Sequence, residues 1–151
     1  MKRLIFALLL ALNLNAINYD FDTYTKLKLY KKEVSALEAF ELRAKGMSVV
    51  DVRSKPEYDF RHVPASFWIP IYFDSYGKRI FNKEFLDQIA YEFRGKKDAP
   101  IILISKKDVR AKYAANILAK NGYTNIYIIK DGFLGKTGWV RSGLQYWRRD
   151  R

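Results

Sequence analysis

The chain is 151 residues long, with 28 Lys and Arg against 16 Asp and Glu, one His and no Cys. Hydrophobic residues at 49% supply one packed core but too little chain for two, and they exclude whole-chain disorder. The missing Cys excludes disulfides, thiolate metal sites, a thiol nucleophile and a lipid-bearing N-terminal Cys; the lone His excludes a multi-histidine metal site, and no metal or cofactor is expected.

In chain order, Lys2-Arg3 precede an apolar run from Leu4 to Leu12, and a polar stretch ends on the small Ala16. This is a secretory signal pattern, too short to cross ~30 Å of hydrocarbon as a helix, which needs about 20 residues. Residues 1–16 are therefore expected to direct export to a periplasm or the exterior, with cleavage near Ala16. An uncleaved anchor is the alternative, and the membrane otherwise serves only as the export route. The formal charge of +12 points to anionic partners, and export sets nucleic acid aside. Anionic lipid or polysaccharide, small oxyanions and an unidentified protein partner remain, beside simple solubility.

Residues 17–30 read as an extended arm. Ser35 to Glu38 fits a capping box that opens a helix with Leu37, Phe40 and Leu42 on its apolar face, closed by Gly46. Ser48 to Val52 is a β-branched strand. Ser54 caps a short helix with Pro56 in its first turn. Phe67 to Pro70 reads as a strand. Asn82 to Phe93 reads as a helix with Phe85, Leu86, Ile89 and Phe93 aligned. Pro100 to Ile104 is apolar throughout, as a central parallel strand requires. Val109 to Asn121 is a helix with Tyr113, Ala114, Ile117 and Leu118 inward, ended by Gly122. Asn125 to Ile129 is the last strand expected, followed by a loop punctuated by Gly132, Gly135 and Gly138. Alternating strands and helices predict an α/β fold with a mostly parallel sheet and helices on both faces.

Three stretches carry a resemblance. Val50-Asp51-Val52-Arg53 followed by Glu57-Tyr58 resembles the rhodanese opening motif. His62-Val63-Pro64-Ala65-Ser66, then Ile69-Pro70, resembles that family's His-Ile-Pro-Gly-Ala and Asn-Ile-Pro. Gly122-Tyr123-Thr124-Asn125-Ile126-Tyr127, then Asp131-Gly132-Phe133, Gly138-Trp139 and Gly143-Leu144, resembles its C-terminal series. The resemblance runs from about Tyr30 to Tyr146. It implies a rhodanese-like domain over residues 31–147, a five-stranded parallel sheet between helices, with 148–151 left as a solvated basic tail.

In active rhodaneses the central strand ends in a Cys whose thiolate carries sulfur as a persulfide, cradled by a six-residue loop. The resemblance puts Ser105 at that position, with the loop running Ser105-Lys106-Lys107-Asp108-Val109-Arg110. A serine hydroxyl is a far weaker acid than a thiol of pKa ≈ 8.5, and oxygen cannot form the persulfide. No Gly-x-Ser-x-Gly elbow surrounds Ser105. The N–H groups of the loop, with Lys106, Lys107 and Arg110, could hold small oxyanions, opposed by Asp108. The plainer reading is a strand–helix connection with solvated lysines. Asp51, Arg53, Glu57 and His62 read as structural, with Arg53 and Glu57 placed to pair across the turn and His62 hydrogen-bonded in it. Trp68, Trp139 and Trp147 read as packing residues. The function expected is an exported rhodanese-like domain without sulfurtransferase activity, acting as a binding or accessory module. The alternative is an enzyme of the superfamily, sulfurtransferase-like or hydrolytic, that uses the 105–110 loop.

Overall fold

The computed structural model describes residues 19–150, so the signal pattern of residues 1–16 lies outside the described residues. Its elements are α1 (Phe21–Lys26), β1 (Lys32–Val34), α2 (Ala36–Ala44), β2 (Ser48–Asp51), α3 (Lys55–Phe60), β3 (Arg61–His62), β4 (Phe67–Trp68), β5 (Tyr72–Ser75), β6 (Lys78–Phe81), α4 (Phe85–Glu92), β7 (Ile101–Ile104), α5 (Val109–Lys120), β8 (Ile126–Ile129) and β9 (Trp147–Arg148). Five strands form one parallel sheet in the order β1-β8-β7-β2-β4. β7 has no polar residue and is buried along its length, between parallel partners β2 and β8. A continuous apolar run is stable only where both faces are covered.

Alternation along the strands divides the core. Ile101 and Leu103 point to one side, where Phe85 and Ile89 of α4 and Ala114, Ile117 and Leu118 of α5 meet them. Ile102 and Ile104 point to the other, toward Ala36 and Ala39 of α2 and the rings of Phe133 and Trp139. Helices thus cover both faces, as the strand–helix order predicts.

Several local expectations are corrected. The stretch at 17–30 is not an extended arm throughout: Asp20 accepts the Thr23 N–H at 2.9 Å and starts α1. Asn116, buried on α5, donates to the Tyr24 and Leu27 carbonyls and accepts the Leu29 N–H, fixing the segment to the domain. On α2 the inward residues are Ala36 and Ala39, while Leu37 is 56% exposed and Phe40 rests on Trp139 near the rim. Phe133 and Trp139 fill most of the volume beneath this helix, so small side chains face inward at its first two turns, while Leu42 packs against the same cluster as expected. α4 starts at Phe85 rather than Asn82: the Asn82 Oδ1 accepts the Glu84 N–H at 3.1 Å and its backbone N–H donates to the Ile71 carbonyl, which holds Asn82 in the turn ahead of the helix. The C-terminal segment is not a free tail from 148. Trp147 and Arg148 pair antiparallel with His62 and Arg61, and the Arg149 N–H donates to the Phe60 carbonyl. The β5–β6 hairpin adds a two-stranded ribbon that the chain-order reading does not contain.

Candidate functional site

Ser105 follows directly on β7, at the carboxyl edge of the central parallel strand, where open α/β sheets place their ligands. It is buried at 1% exposure. Its hydroxyl donates to the Lys107 carbonyl at 3.0 Å and accepts the Ala111 N–H at 3.1 Å. The single hydroxyl proton is therefore committed to the loop itself.

The loop backbone is held from one side. The Phe133 N–H donates to the Ser105 carbonyl and the Leu134 N–H to the Lys106 carbonyl, both at 2.8 Å. In a trans peptide the next N–H points opposite to the carbonyl, so those of Lys106 and Lys107 turn away from the 131–134 segment. Among the described residues, nothing accepts the N–H of Lys106, Lys107, Asp108, Val109 or Arg110. The approach that fixes this arrangement requires Gly132. Its φ is +56°, and a Cβ there would lie 1.8 Å from the Lys107 carbonyl oxygen.

The charged residues beside the loop pair differently from the expected scheme. Arg53 does not pair with Glu57. Its Nε and Nη2 donate to Asp51 at 2.7–3.1 Å, Nη2 also reaches the Arg61 carbonyl, and the guanidinium lies 4.4 Å from the Phe133 ring centroid. Asp51 and Arg53 are both buried, only two residues apart, so the pair closes locally at the end of β2. Glu57 instead accepts both Nη1 and Nη2 of Arg110, at 2.7 and 2.9 Å, and also the Ser54 N–H and hydroxyl. The pair joins the first turns of α3 and α5.

Burial alone would raise the Glu57 pKa. The Arg110 hydrogen bonds and charge, with the Ser54 donors, overcome it and lower the value to about 2. Burial likewise works against the Arg110 charge, but Glu57, then Asp51 and Asp74, hold that guanidinium more firmly protonated than a free one. Arg110 thus faces Glu57, and its charge is not spare for a ligand. Asp108 is bridged by Lys112 at 3.1 Å. Lys106 and Lys107 are exposed and make no salt bridge among the described residues, and Val109 is exposed at the first position of α5.

His62 sits apart from this loop. Its Nδ1 lies 2.7 Å from the Tyr58 carbonyl oxygen, which places the proton on that nitrogen. The ring is stacked between Tyr58 at 3.9 Å and Trp147 at 4.7 Å. It makes no hydrogen bond to Ser105, so the only imidazole of the chain is not positioned as a base for that hydroxyl. Trp139 is buried, Trp68 donates to the Arg53 carbonyl at 2.9 Å, and Trp147 is partly exposed as the outer layer of the stack. The arrangement at 105–110 offers N–H donors and two exposed lysines, and among the described residues no side-chain base hydrogen-bonds to the Ser105 hydroxyl.

A sequence profile of the Rhodanese-like domain matches residues 15–138. The chain belongs to this family. The thiosulfate sulfurtransferase GlpE of Actinobacillus pleuropneumoniae serotype 3 is 32% identical over 113 residues, covering 74% of this chain and 89% of that protein. The crystal structure of Rv0390 from M. tuberculosis superposes with a TM-score of 0.63 at 26% identity, covering 78% of this chain and 98% of that one. The Rhodanese-like domain of the Anabaena Alr3790 protein gives a TM-score of 0.60 at 17% identity, over 82% and 81% of the two chains, a likeness of fold alone. In this chain the 105–110 loop leaves the carboxyl end of β7, the middle strand of the parallel sheet. The Glu57–Arg110 pair escapes sequence reasoning, because 53 residues separate its members and neither lies in a periodic pattern.

Proposed function

We propose that this chain is an exported rhodanese-like domain without sulfurtransferase turnover, acting as a binding or accessory module for an unidentified protein partner and holding small oxyanions weakly at residues 105–110. The observation that carries this reading is Ser105, with its proton given to the Lys107 carbonyl and no base beside it. An oxygen nucleophile can neither ionise in a loop of this kind at neutral pH nor hold sulfur as a persulfide. The N–H groups of the loop favour an anion by dipole and direction. Lys106 and Lys107 add charge, while Arg110 is neutralised by Glu57 and Asp108 is answered by Lys112. Exposed charges are screened within ~8 Å at physiological salt, so binding in the millimolar range, about −4 kcal/mol, is expected. GlpE is named a thiosulfate sulfurtransferase, which makes thiosulfate the first oxyanion to try.

Titration with thiosulfate, followed by amide NMR, tests the reading. The amides of residues 106–110 should shift and return on dialysis, with no change in the intact mass. A covalent sulfur adduct would contradict it. Unmoved amides at high ligand concentration would remove the oxyanion role and leave only a scaffold. The export half rests on the Lys2-Arg3 head, the Leu4–Leu12 run and Ala16. N-terminal sequencing of the native protein should begin near Ile17, in a periplasmic or secreted fraction. Met1 intact on a soluble cytoplasmic protein would overturn it.

A further inference from the structure

The β5–β6 hairpin is anchored on one face and bare on the other. Tyr72 stacks on Tyr113 of α5 at 5.7 Å, Phe81 packs beside both, and the Asn82 N–H donates to the Ile71 carbonyl at the base. The turn is Tyr76-Gly77, with φ values of +48° and +76°, the two positive angles of a type I′ hairpin. Side chains alternate across a ribbon, so Asp74 falls with Tyr72 on the inward face, the side from which its charge supports Arg110. The outward face carries Phe73, Ser75, Lys78 and Ile80. Phe73 and Ile80 are direct cross-strand partners, yet they are 42% and 51% exposed, and Tyr76 at the tip is fully exposed. No acidic residue lies on this face. Arg79 lies on the opposite face, across the ribbon from exposed Asp74, and Lys83 and Glu84 are exposed at the base.

We propose that the tip of this hairpin docks on an anionic bilayer surface, seating Phe73, Tyr76 and Ile80 at the headgroup–acyl boundary while Lys78, on the same face, meets lipid phosphates. Charge complementarity selects this occupant: Lys78, without a salt bridge among the described residues, is the one charged side chain on the outward face, and the chain carries a net charge of +12. Shape selects it as well. A ribbon of two four-residue strands is about 13 Å long and convex at its end. That is too small for a protein interface of roughly 800 Å² per partner, but a bilayer needs no matching pocket. An aromatic–aliphatic tip with a polar phenol and a flanking lysine suits that boundary, where amphipathic side chains place an apolar body inward and a charged or hydroxyl end in water. The proposal does not depend on the absence of sulfur transfer.

The chain contains no Cys, so Ser75→Cys creates a single labelling position on the outward face. An environment-sensitive fluorophore there, in the full chain, reports the hairpin itself, whatever residues 1–16 do. Added phosphatidylglycerol vesicles should shift its emission to the blue, and phosphatidylcholine vesicles should not. The same label at exposed Glu41 on α2 should stay unshifted. Combining Phe73→Ser and Ile80→Ser with the label should lower apparent partitioning about tenfold, and high salt should weaken it. No shift at residue 75, an equal shift at residue 41, or an unchanged shift in the double variant overturns the proposal. A blue shift that needs only higher protein concentration, without vesicles, would assign the face to a second copy of the chain instead.

Discussion

Around Ser105 the arginines are consumed by carboxylates inside the fold: Arg53 by Asp51 and Arg110 by Glu57. On the β5–β6 hairpin the cations Lys78 and Arg79 make no salt bridge among the described residues, and the apolar Phe73 and Ile80 on the Lys78 face stay about half in water. A net positive charge therefore says little about where a ligand binds until each cation has been traced to its partner. In the first region basic residues brace a corner, and taking one away leaves a buried charge without its counterion. In the second, the same residue types are displayed, and taking one away costs the fold almost nothing.

The largest expected effect belongs to the first region. Arg53→Ala leaves the fully buried Asp51 carboxylate unpaired and should lower stability by about 3–5 kcal/mol, read as a drop in the urea midpoint. A loss no greater than that of a surface substitution would show that the Asp51–Arg53 pair does not brace the corner. Gly132→Ala should follow at about 3 kcal/mol, because the new methyl meets the Lys107 carbonyl and the residue sits at φ +56°. Its amide spectrum should move at residues 105–107. Retention of both stability and those shifts would contradict the close approach.

Glu57→Gln should cost about 2 kcal/mol, since Arg110 stays buried with a weaker acceptor and the Glu57 side chain is itself partly exposed. The same pair predicts a pH response of definite sign. The folded pKa of Glu57 is depressed to about 2, below its ordinary 4.5. Its contribution is therefore complete above pH 4.5 and is lost as pH falls toward 2. The difference in stability between the native chain and Glu57→Gln should shrink across that window, in parallel denaturation series. A gap independent of pH would place the effect outside the ion pair. The smallest change is expected on the hairpin, where Phe73→Ser with Ile80→Ser should alter stability by only about 0.5 kcal/mol per site. A larger loss would mean that these side chains pack in the fold and are not displayed.

The parallel sheet was legible because burial on both faces leaves a plain mark: Ile101 to Ile104 has no polar residue, and Val109 to Lys120 repeats apolar residues at helical spacing. Ser105 at the end of the central strand was legible from the order of motifs on either side of it. The pairing around it was not. Asp51 and Glu57 both lie within reach of an arginine in sequence, and only the fold brings Arg110 to Glu57 and turns Arg53 back on Asp51. Helix α1 hid in a polar stretch because a distant residue, Asn116, satisfies the carbonyls at its end. The hairpin hid because Tyr76-Gly77 lacks the Asn or Asp usual in its turn. On α2 Leu42 meets the core as its spacing implies, but Leu37 and Phe40 do not, because Trp139 and Phe133 fill the space beneath the helix and leave room only for Ala36 and Ala39. Trp147 docks by stacking on His62, a contact that no periodic pattern announces.

Sulfur transfer at the 105–110 loop would require Ser105 to carry sulfur, which its oxygen cannot do. The most direct test is the initial rate of thiocyanate formation by the full chain with thiosulfate and cyanide, beside Ser105→Ala and a protein-free control. The prediction is a rate that all three share. Thiocyanate formed by the native chain well above the control, and lost in Ser105→Ala, would contradict it and make the 105–110 loop a working active site.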